Sequence, residues 1–253
     1  MTSRKHPPPE HPPPESPPPV IGHRGAAGHA PENTLAGIRR AHALGVGWVE
    51  VDVKLTKDGI PILMHDDTLQ RTTSCKGAVA ARTLAELIDC DTGAWFQPPF
   101  AGEAIPTLAE LVAALDELNM GLNLEIKPCP GRERETGRVI GEMFPALWPA
   151  NLPAPVVSSF SRDALQAYIG AAPATARALI VNRLPADWRE AATQMGLSAM
   201  HCNAKHIKRG LVTEMVAAGL QVRCYTVNDA ALARKLFDWG VQSVFTDFPD
   251  RMA

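Results

Sequence analysis

The sequence predicts an α/β protein wound as a (β/α)8 TIM barrel, and three observations lead there. From Val20 onward, short runs rich in Val and Ile alternate with helix-period segments, the order of repeated βα units around a parallel sheet. The runs that read as parallel strands number eight. Nearly every run ends on polar residues, and in such a barrel all strand C-termini open onto one face, where the chemistry sits. A chain of 253 residues, 45% hydrophobic, is long enough for one such domain.

The elements follow in order. "VIGH" (20–23) is the first strand, and "NTLAGIRRAHALG" the first helix, with Leu35, Ile38, Ala41 and Leu44 on one side, Asn33 or Thr34 as cap and Gly45 as stop. "WVEVDV" (48–53) runs into "KLTKDGIPILMHDD", where Asp58-Gly59 between alternating residues marks a β-hairpin extension of strand 2. A two-residue loop there sets Asp52 opposite His65, and a bulge would shift that by one residue. Residues 67–106 are too long and too rich in turn residues for a βα connection, which predicts a small inserted lobe. Thr107 and Glu110 have capping-box spacing at the head of "TLAELVAALDEL", and the same "TLAEL" at 83–87 reads as a second helix start. The remaining strands are "LNLEIK" (122–127), "VVSSF" (156–160), "RALIV" (177–181), "AMHCN" (199–203), "QVRCYTV" (221–227) and "SVFTD" (243–247), with the helix "DAALARKLFDWG" closing on Gly240. The barrel domain spans 20–253. Residues 1–19, with their proline triplets, read as a disordered polyproline tail, or as a docking ligand for a proline-binding module.

Composition excludes several partners. A net charge of -2 without a Lys/Arg run argues against nucleic acid or an anionic membrane. No apolar run is long enough to span a bilayer, and the N-terminus lacks the apolar core of a signal peptide. Five widely spaced cysteines without a CxxC pair suggest neither a disulfide framework nor zinc, so they are expected as buried thiols in a reducing, cytoplasmic setting. Oligomeric state leaves no signature in the chain.

The strand ends carry the chemistry. Glu50 and Asp52, and likewise Glu125 and Lys127, share a face at i and i+2. Three carboxylates aimed at one spot repel unless a cation sits between them, and oxygen ligands suit one divalent ion, Mg²⁺, Ca²⁺ or Mn²⁺, rather than zinc. The competing reading is a pair of solvated strand ends with lysine partners. His23 and His65 both stand at converging strand ends and both precede a charged residue, whereas His6, His11, His42 and His206 have no such context. His29 lies in the first loop, near the mouth. Gly22 and Gly25 serve either close approach to a phosphate or a tight turn, and Trp95 and Phe96 either wall a ligand or pack within the lobe.

Taken together, "GHRG", "PENT", "VEVDV", "LTKDGIPILMHDDTLQRTT", "GAWF", "IPTLAEL", "NLEIK", "VVSSF", "TVN" and "FTDFP" resemble the glycerophosphodiester phosphodiesterase family over nearly all of residues 20–252. The resemblance implies His23 and His65 as an acid/base pair, with His23 as base and His65 as acid. It implies Arg24 and Lys127 as phosphate contacts and Glu50, Asp52 and Glu125 as ligands of one divalent metal. Glu32 is a further candidate contact. The implied substrate is a glycerophosphodiester such as glycerophosphocholine or glycerophosphoethanolamine, cleaved to sn-glycerol 3-phosphate and an alcohol. The attacking oxygen is water or the substrate's own 2-hydroxyl. Two positions depart from the family pattern: Tyr225, where relatives commonly carry Trp, and His29. The rival readings are a phosphodiesterase acting on lysophospholipids, an enolase-type lyase, which leaves "HRG" and "MHD" unexplained, and a non-catalytic phosphate-binding barrel.

Overall fold

Eight parallel strands close on themselves in the computed structural model, which describes Pro17–Met252. They are β1 (Val20–Gly22), β2 (Trp48–Leu55), β4 (Gly121–Ile126), β5 (Val156–Ser159), β6 (Ala176–Val181), β7 (Ala199–Asn203), β8 (Gln221–Tyr225) and β9 (Ser243–Thr246). Pairing of β1 with both β2 and β9 shuts the ring, which confirms the TIM barrel. The short β3 (Pro61–Leu63) pairs antiparallel with β2 outside the ring, as the Asp58-Gly59 turn predicts. Around the ring lie α1 (Leu35–Ala43), α2 (Leu108–Leu118), α3 (Glu133–Leu147), α4 (Arg162–Ala171), α5 (Trp188–Met195), α6 (Arg209–Ala217) and α7 (Ala230–Asp238). After β9 the described residues form a 3₁₀ turn, Pro249–Arg251.

Local chemistry explains the boundaries. The Thr34 hydroxyl accepts from the Gly37 amide at 3.0 Å, and Gly45 leaves α1 at φ +80°. Thr107 and Glu110 form the expected capping box on α2. The second "TLAEL" also forms a capping box but yields only a 3₁₀ turn, Leu84–Glu86. Strand alternation sorts the side chains: Val49, Val51, Val53, Leu122 and Leu124 join the apolar layer beneath the helices, while Glu50, Asp52, Asn123 and Glu125 share the opposite faces of the same strands. Each such buried aliphatic contributes about 1.5–3 kcal/mol. Trp48 is fully buried, and a Cβ on Gly121 would meet its ring at 2.1 Å, so the glycine is what lets this large side chain fit.

The hairpin register corrects one expectation. Val53 pairs with Leu63, and the Met64 amide donates to the Asp52 carbonyl at 3.0 Å, so Met64 rather than His65 stands opposite Asp52. The cause is the turn. The Thr56 amide donates to the Ile60 carbonyl, leaving a three-residue loop whose last member, Gly59, sits at φ +79°.

Residues 67–106 hold three 3₁₀ turns and supply Leu69, Val79, Leu87, Cys90 and Ile105 to a second apolar cluster that Ile62, Met64 and Cys129 complete. Cys75 and Cys90 are joined there by a disulfide, so the expectation of five free thiols fails; Cys129, Cys202 and Cys224 are free and buried. The pair follows no short motif, only a separation of 15 residues that the lobe's fold brings together. With that bond the cysteines no longer argue for a reducing cytoplasm. Among the described residues no helix is long and apolar enough to cross a membrane. The proline tail lies outside the described residues except for Pro17–Pro19, where the Pro19 carbonyl accepts from the Val244 amide at 2.8 Å.

Candidate active site

At the C-terminal mouth of the ring, β1, β2 and β4 deliver the charged groups together. Asp52 and Glu125 are register partners on β2 and β4, and Glu50 lies two residues back on the Asp52 face. Ligand oxygens of Glu50, Asp52 and Glu125 all lie within 4.8 Å of one another in buried surroundings, a group that could hold a metal ion. Burial, then the Asp52 and Glu125 charges, push the Glu50 carboxyl well above its ordinary range, and burial with Asp52 takes Glu125 up to about 7. Burial would raise Asp52 too, but Arg24, Lys127, His65 and an Asn33 hydrogen bond together hold it far below. Glu50 Oε1 is buried without a hydrogen-bond partner. An orphaned carboxylate oxygen beside two more carboxylates fits a hard divalent cation and its oxygen ligands.

The two histidines come to this cluster from different strands. His23 follows β1, anchored by its amide on the Thr246 carbonyl at 2.9 Å, and His65 follows β3 where the ladder has ended. Both line one cavity of about 210 Å³ with Arg24, Glu50, Glu125 and Lys127. Each Nδ1 is bonded at 2.6 Å to a carboxylate, His23 to Asp247 and His65 to Asp66. That orients each Nε2 away from its carboxylate, and for His23 it lies 3.9 Å from Glu50 Oε2. Burial lowers His65, Asp52 raises it, and Arg24 and Lys127 lower it further, with a net downward shift.

Arg24 and Lys127 bridge the carboxylates. Lys127 Nζ lies 3.1 Å from both Asp52 Oδ1 and Glu125 Oε1, and Arg24 Nε lies 3.1 Å from Asp52 Oδ2. Arg24 adopts φ +51° and Asn33 φ +56°, a left-handed backbone that costs roughly 1–2 kcal/mol per residue. Hydrogen bonds to the cluster offset that cost. The Arg24 amide donates to Glu50 Oε2 at 3.1 Å; Asn33 Nδ2 donates to Asp52 Oδ2 at 2.9 Å while Asn33 Oδ1 accepts from the Asp52 amide at 3.0 Å. A Cβ on Gly22 would meet the Gly25 carbonyl oxygen at 2.2 Å, and one on Gly25 would meet Gly37 at 2.6 Å, so tight packing of this turn requires both glycines.

Several partners were not legible in the sequence. Arg71 from the lobe grips Asp66 with Nε to Oδ2 at 2.6 Å and Glu32 with two nitrogens at 2.7 and 2.8 Å, and Glu32 in turn accepts from Arg24 at 2.7 Å. This chain ties the His65 loop to the Arg24 loop. Asp247 is steadied by Asn228 Nδ2 at 2.7 Å. The far wall of the cavity is formed by Phe160, Ile180, Tyr225 and Phe245, and Asn123 and His201 also line it. Trp95 and Phe96 do not line it: Trp95 Nε1 donates to the Thr92 carbonyl at 2.8 Å and the two rings pack edge to face within the lobe. His29 also stands apart, bonded to Asp250 at 2.6 Å and packed on Phe248.

The glycerophosphoryl diester phosphodiesterase family model matches residues 23–251. A Caldanaerobacter subterraneus glycerophosphodiester phosphodiesterase is 33% identical, covering 92% of this chain and 95% of its own length. A Bacillus subtilis glycerophosphodiester phosphodiesterase is 31% identical over 91% of this chain and 84% of its own. An Oleispira antarctica phosphodiesterase, solved in complex with the product sn-glycerol-3-phosphate, superposes with TM-score 0.90 at 40% identity, covering 93% of this chain and 95% of that one. An Agrobacterium tumefaciens glycerophosphodiester phosphodiesterase superposes with TM-score 0.76 at 26% identity, covering 92% and 97%. With a family model spanning the barrel from His23 to the last turn, and relatives of matching length, the chain belongs to the glycerophosphoryl diester phosphodiesterase family of enzymes.

Proposed function

We propose that this enzyme hydrolyses small glycerophosphodiesters, glycerophosphocholine and glycerophosphoethanolamine among them, to sn-glycerol 3-phosphate and the free alcohol. The observation that carries the reading is the convergence of two carboxylate-oriented histidines, two cations and three carboxylates on one cavity of about 210 Å³. Glu50, Asp52 and Glu125 would hold one Mg²⁺, Ca²⁺ or Mn²⁺, which supplies charge neutralisation at a phosphate oxygen. Arg24 and Lys127 take the rest of the phosphate's charge, and their own charges are already aligned by Asp52 and Glu125.

The two histidines divide the proton work. Burial and the nearby Arg24 and Lys127 charges favour a neutral His65, and Arg71 draws the Asp66 carboxylate toward itself. We therefore give His65 the proton from the attacking oxygen, and His23 the proton delivered to the leaving alkoxide, the reverse of the order expected from the sequence. Asp247 supports that choice, because its second oxygen is held by an uncharged amide and its charge stays available to an imidazolium. Asn123 Oδ1, buried without a partner on the cavity lining, suits a glycerol hydroxyl.

The test is release of glycerol 3-phosphate from purified protein with each divalent ion or with chelator. Metal-dependent release that is lost in His65→Ala and His23→Ala supports the reading. Release untouched by either substitution refutes the acid/base assignment, and no release from any diester refutes the substrate class.

A further inference from the structure

A second groove, of about 380 Å³, adjoins the catalytic cavity and shares Glu125, Lys127 and Phe160 with it. Phe160 therefore stands on the partition between the two, and it is an exposed aromatic, 47% accessible. Across the groove lie Pro128, Pro130 and Glu133. Glu133 opens α3; its Oε1 accepts from the Gly131 amide at 3.1 Å, and among the described residues no cation pairs with it. An accessible ring, apolar proline surface and a carboxylate without a counter-ion are the elements that recognise an organic ammonium group.

Position decides what the groove would receive. Lys127 Nζ is 5.7 Å from the Phe160 ring centroid, so a phosphate held at Lys127 leaves its ester oxygen one short linker from the aromatic face. Asp52 and Glu125, each 3.1 Å from Lys127 Nζ, together with the phosphate placed there, offset the repulsion between Lys127 and an ammonium in the groove. Lys127, Phe160 and Glu133 thus line one groove in which a phosphate at Lys127 could be joined by a short linker to an ammonium near Phe160 and Glu133.

We propose that the groove between Phe160 and Glu133 is a head-group subsite selecting diesters whose alcohol carries an ammonium, choline or ethanolamine, over uncharged alcohols. This rests on the hydrolysis proposed above and names the half of the substrate that the catalytic cavity leaves unspecified. Phe160 and Glu133 are specificity residues here, with no part in proton transfer.

The experiment compares kcat/KM for glycerophosphocholine and glycerophosphoethanolamine with that for glycerophosphoglycerol, in the wild type, Glu133→Gln, Phe160→Leu and the control Glu142→Gln. The control removes the same charge from a distant, exposed position on the same helix. In Glu133→Gln and Phe160→Leu the preference for the ammonium substrates should fall by about threefold to fivefold each, as expected for partly exposed ion pairs and cation–π contacts. The loss should appear in KM, and Glu142→Gln should keep the wild-type ratio. Unchanged ratios in both variants, with glycerol 3-phosphate still released, overturn the subsite and leave the hydrolysis standing. Failure of the wild type to cleave any of the diesters overturns both.

Discussion

Asp247→Asn is the substitution that presses hardest on the assignment of His23. The native carboxylate meets His23 Nδ1 at 2.6 Å and takes the Asn228 amide at 2.7 Å on its other oxygen. Asn228 cannot turn to suit a new partner, because its Oδ1 accepts from the Asp247 amide at 2.9 Å and the Thr246 hydroxyl at 3.1 Å. The new side chain must therefore give its oxygen to Asn228 and its amide hydrogens to His23, which removes the acceptor that supports an imidazolium. Opposite charges at this separation interact by roughly 1.6 kcal/mol at water's dielectric and about 6 at an effective value of 20. Asp247 is about a quarter exposed (24%), so a loss near 3 kcal/mol, the upper range of a charge-assisted hydrogen bond, is the working value. That converts to about 10²-fold in kcat for a natural alcohol leaving group. The assay pairs glycerophosphocholine with a p-nitrophenyl diester of glycerol phosphate, whose leaving group departs without a proton. The nitrophenyl substrate should recover most of the lost rate. An equal loss on both substrates would sink the role of His23 as proton donor, and a loss under threefold on glycerophosphocholine would sink the positioning role of Asp247.

Three more outcomes follow from the same geometry. Adding Mg²⁺, Ca²⁺ or Mn²⁺ to chelated protein should raise its thermal midpoint, by about 2.7 kcal/mol of stability at a hundredfold excess over Kd; Glu50→Gln should blunt that response, and an identical response in the variant would exclude Glu50 as a ligand. Reducing the Cys75–Cys90 bond, which closes a loop 15 residues apart, should loosen the lobe by about 3 kcal/mol, seen as faster proteolysis within residues 67–106. Stability should also fall on acidification through His201, which burial and then Arg223 at 3.1 Å hold well below the ordinary histidine pKa. His201 is neutral when folded, whereas the unfolded chain binds its proton below about pH 6.5, so stability is present above that pH and is lost beneath it by roughly 1.4 kcal/mol per pH unit. Urea unfolding of His201→Gln at pH 7 and pH 5.5 should show a flatter dependence than the wild type.

The seven site residues named from the sequence lie within one cavity's reach because strand ends in a closed parallel barrel converge by topology, however far apart they are in the chain. What stayed hidden depends on loops. The Asp66–Arg71–Glu32–Arg24 chain requires knowing that the lobe folds back over the first loop, and the Asn33–Asp52 exchange requires a left-handed backbone that no local pattern announces. Asp247 was visible only as one polar strand end among several. Of the aromatic wall only Tyr225 stood out in the sequence, as a departure from the family pattern; Phe160 and Phe245 read as ordinary strand residues, while Trp95 and Phe96, the more conspicuous pair, pack on each other in the lobe, away from the cavity. The one-residue register error at Asp52 came from a turn in which Lys57 joins Asp58-Gly59, a choice set by hydrogen bonding at Thr56.

The ring is electrically lopsided, and this orients the substrate. Glu50, Asp52, Glu125, Arg24 and Lys127 come from β1, β2, β4 and the residues just beyond them, which are neighbours in the closed sheet. From β5 round to β9 the wall facing them is mostly apolar, with Phe160, Ile180, Tyr225 and Phe245 beside the uncharged polar His201 and Thr226, and the Tyr225 hydroxyl is turned onto the Val181 carbonyl at 3.0 Å. A phosphate against the apolar part of that wall would lose water and gain few partners, which supports the proposed seat of the diester's phosphate on the charged side. The alcohol groups then have two directions left, inward to Asn123 and outward past Phe160. The cavity of about 210 Å³ and the adjoining groove of about 380 Å³ offer two seats, the first proposed for the glycerol and the second for the variable alcohol. His23 and His65, each fixed through Nδ1 by a carboxylate of its own, Asp247 and Asp66, are the pair proposed to serve the entering and the leaving oxygen.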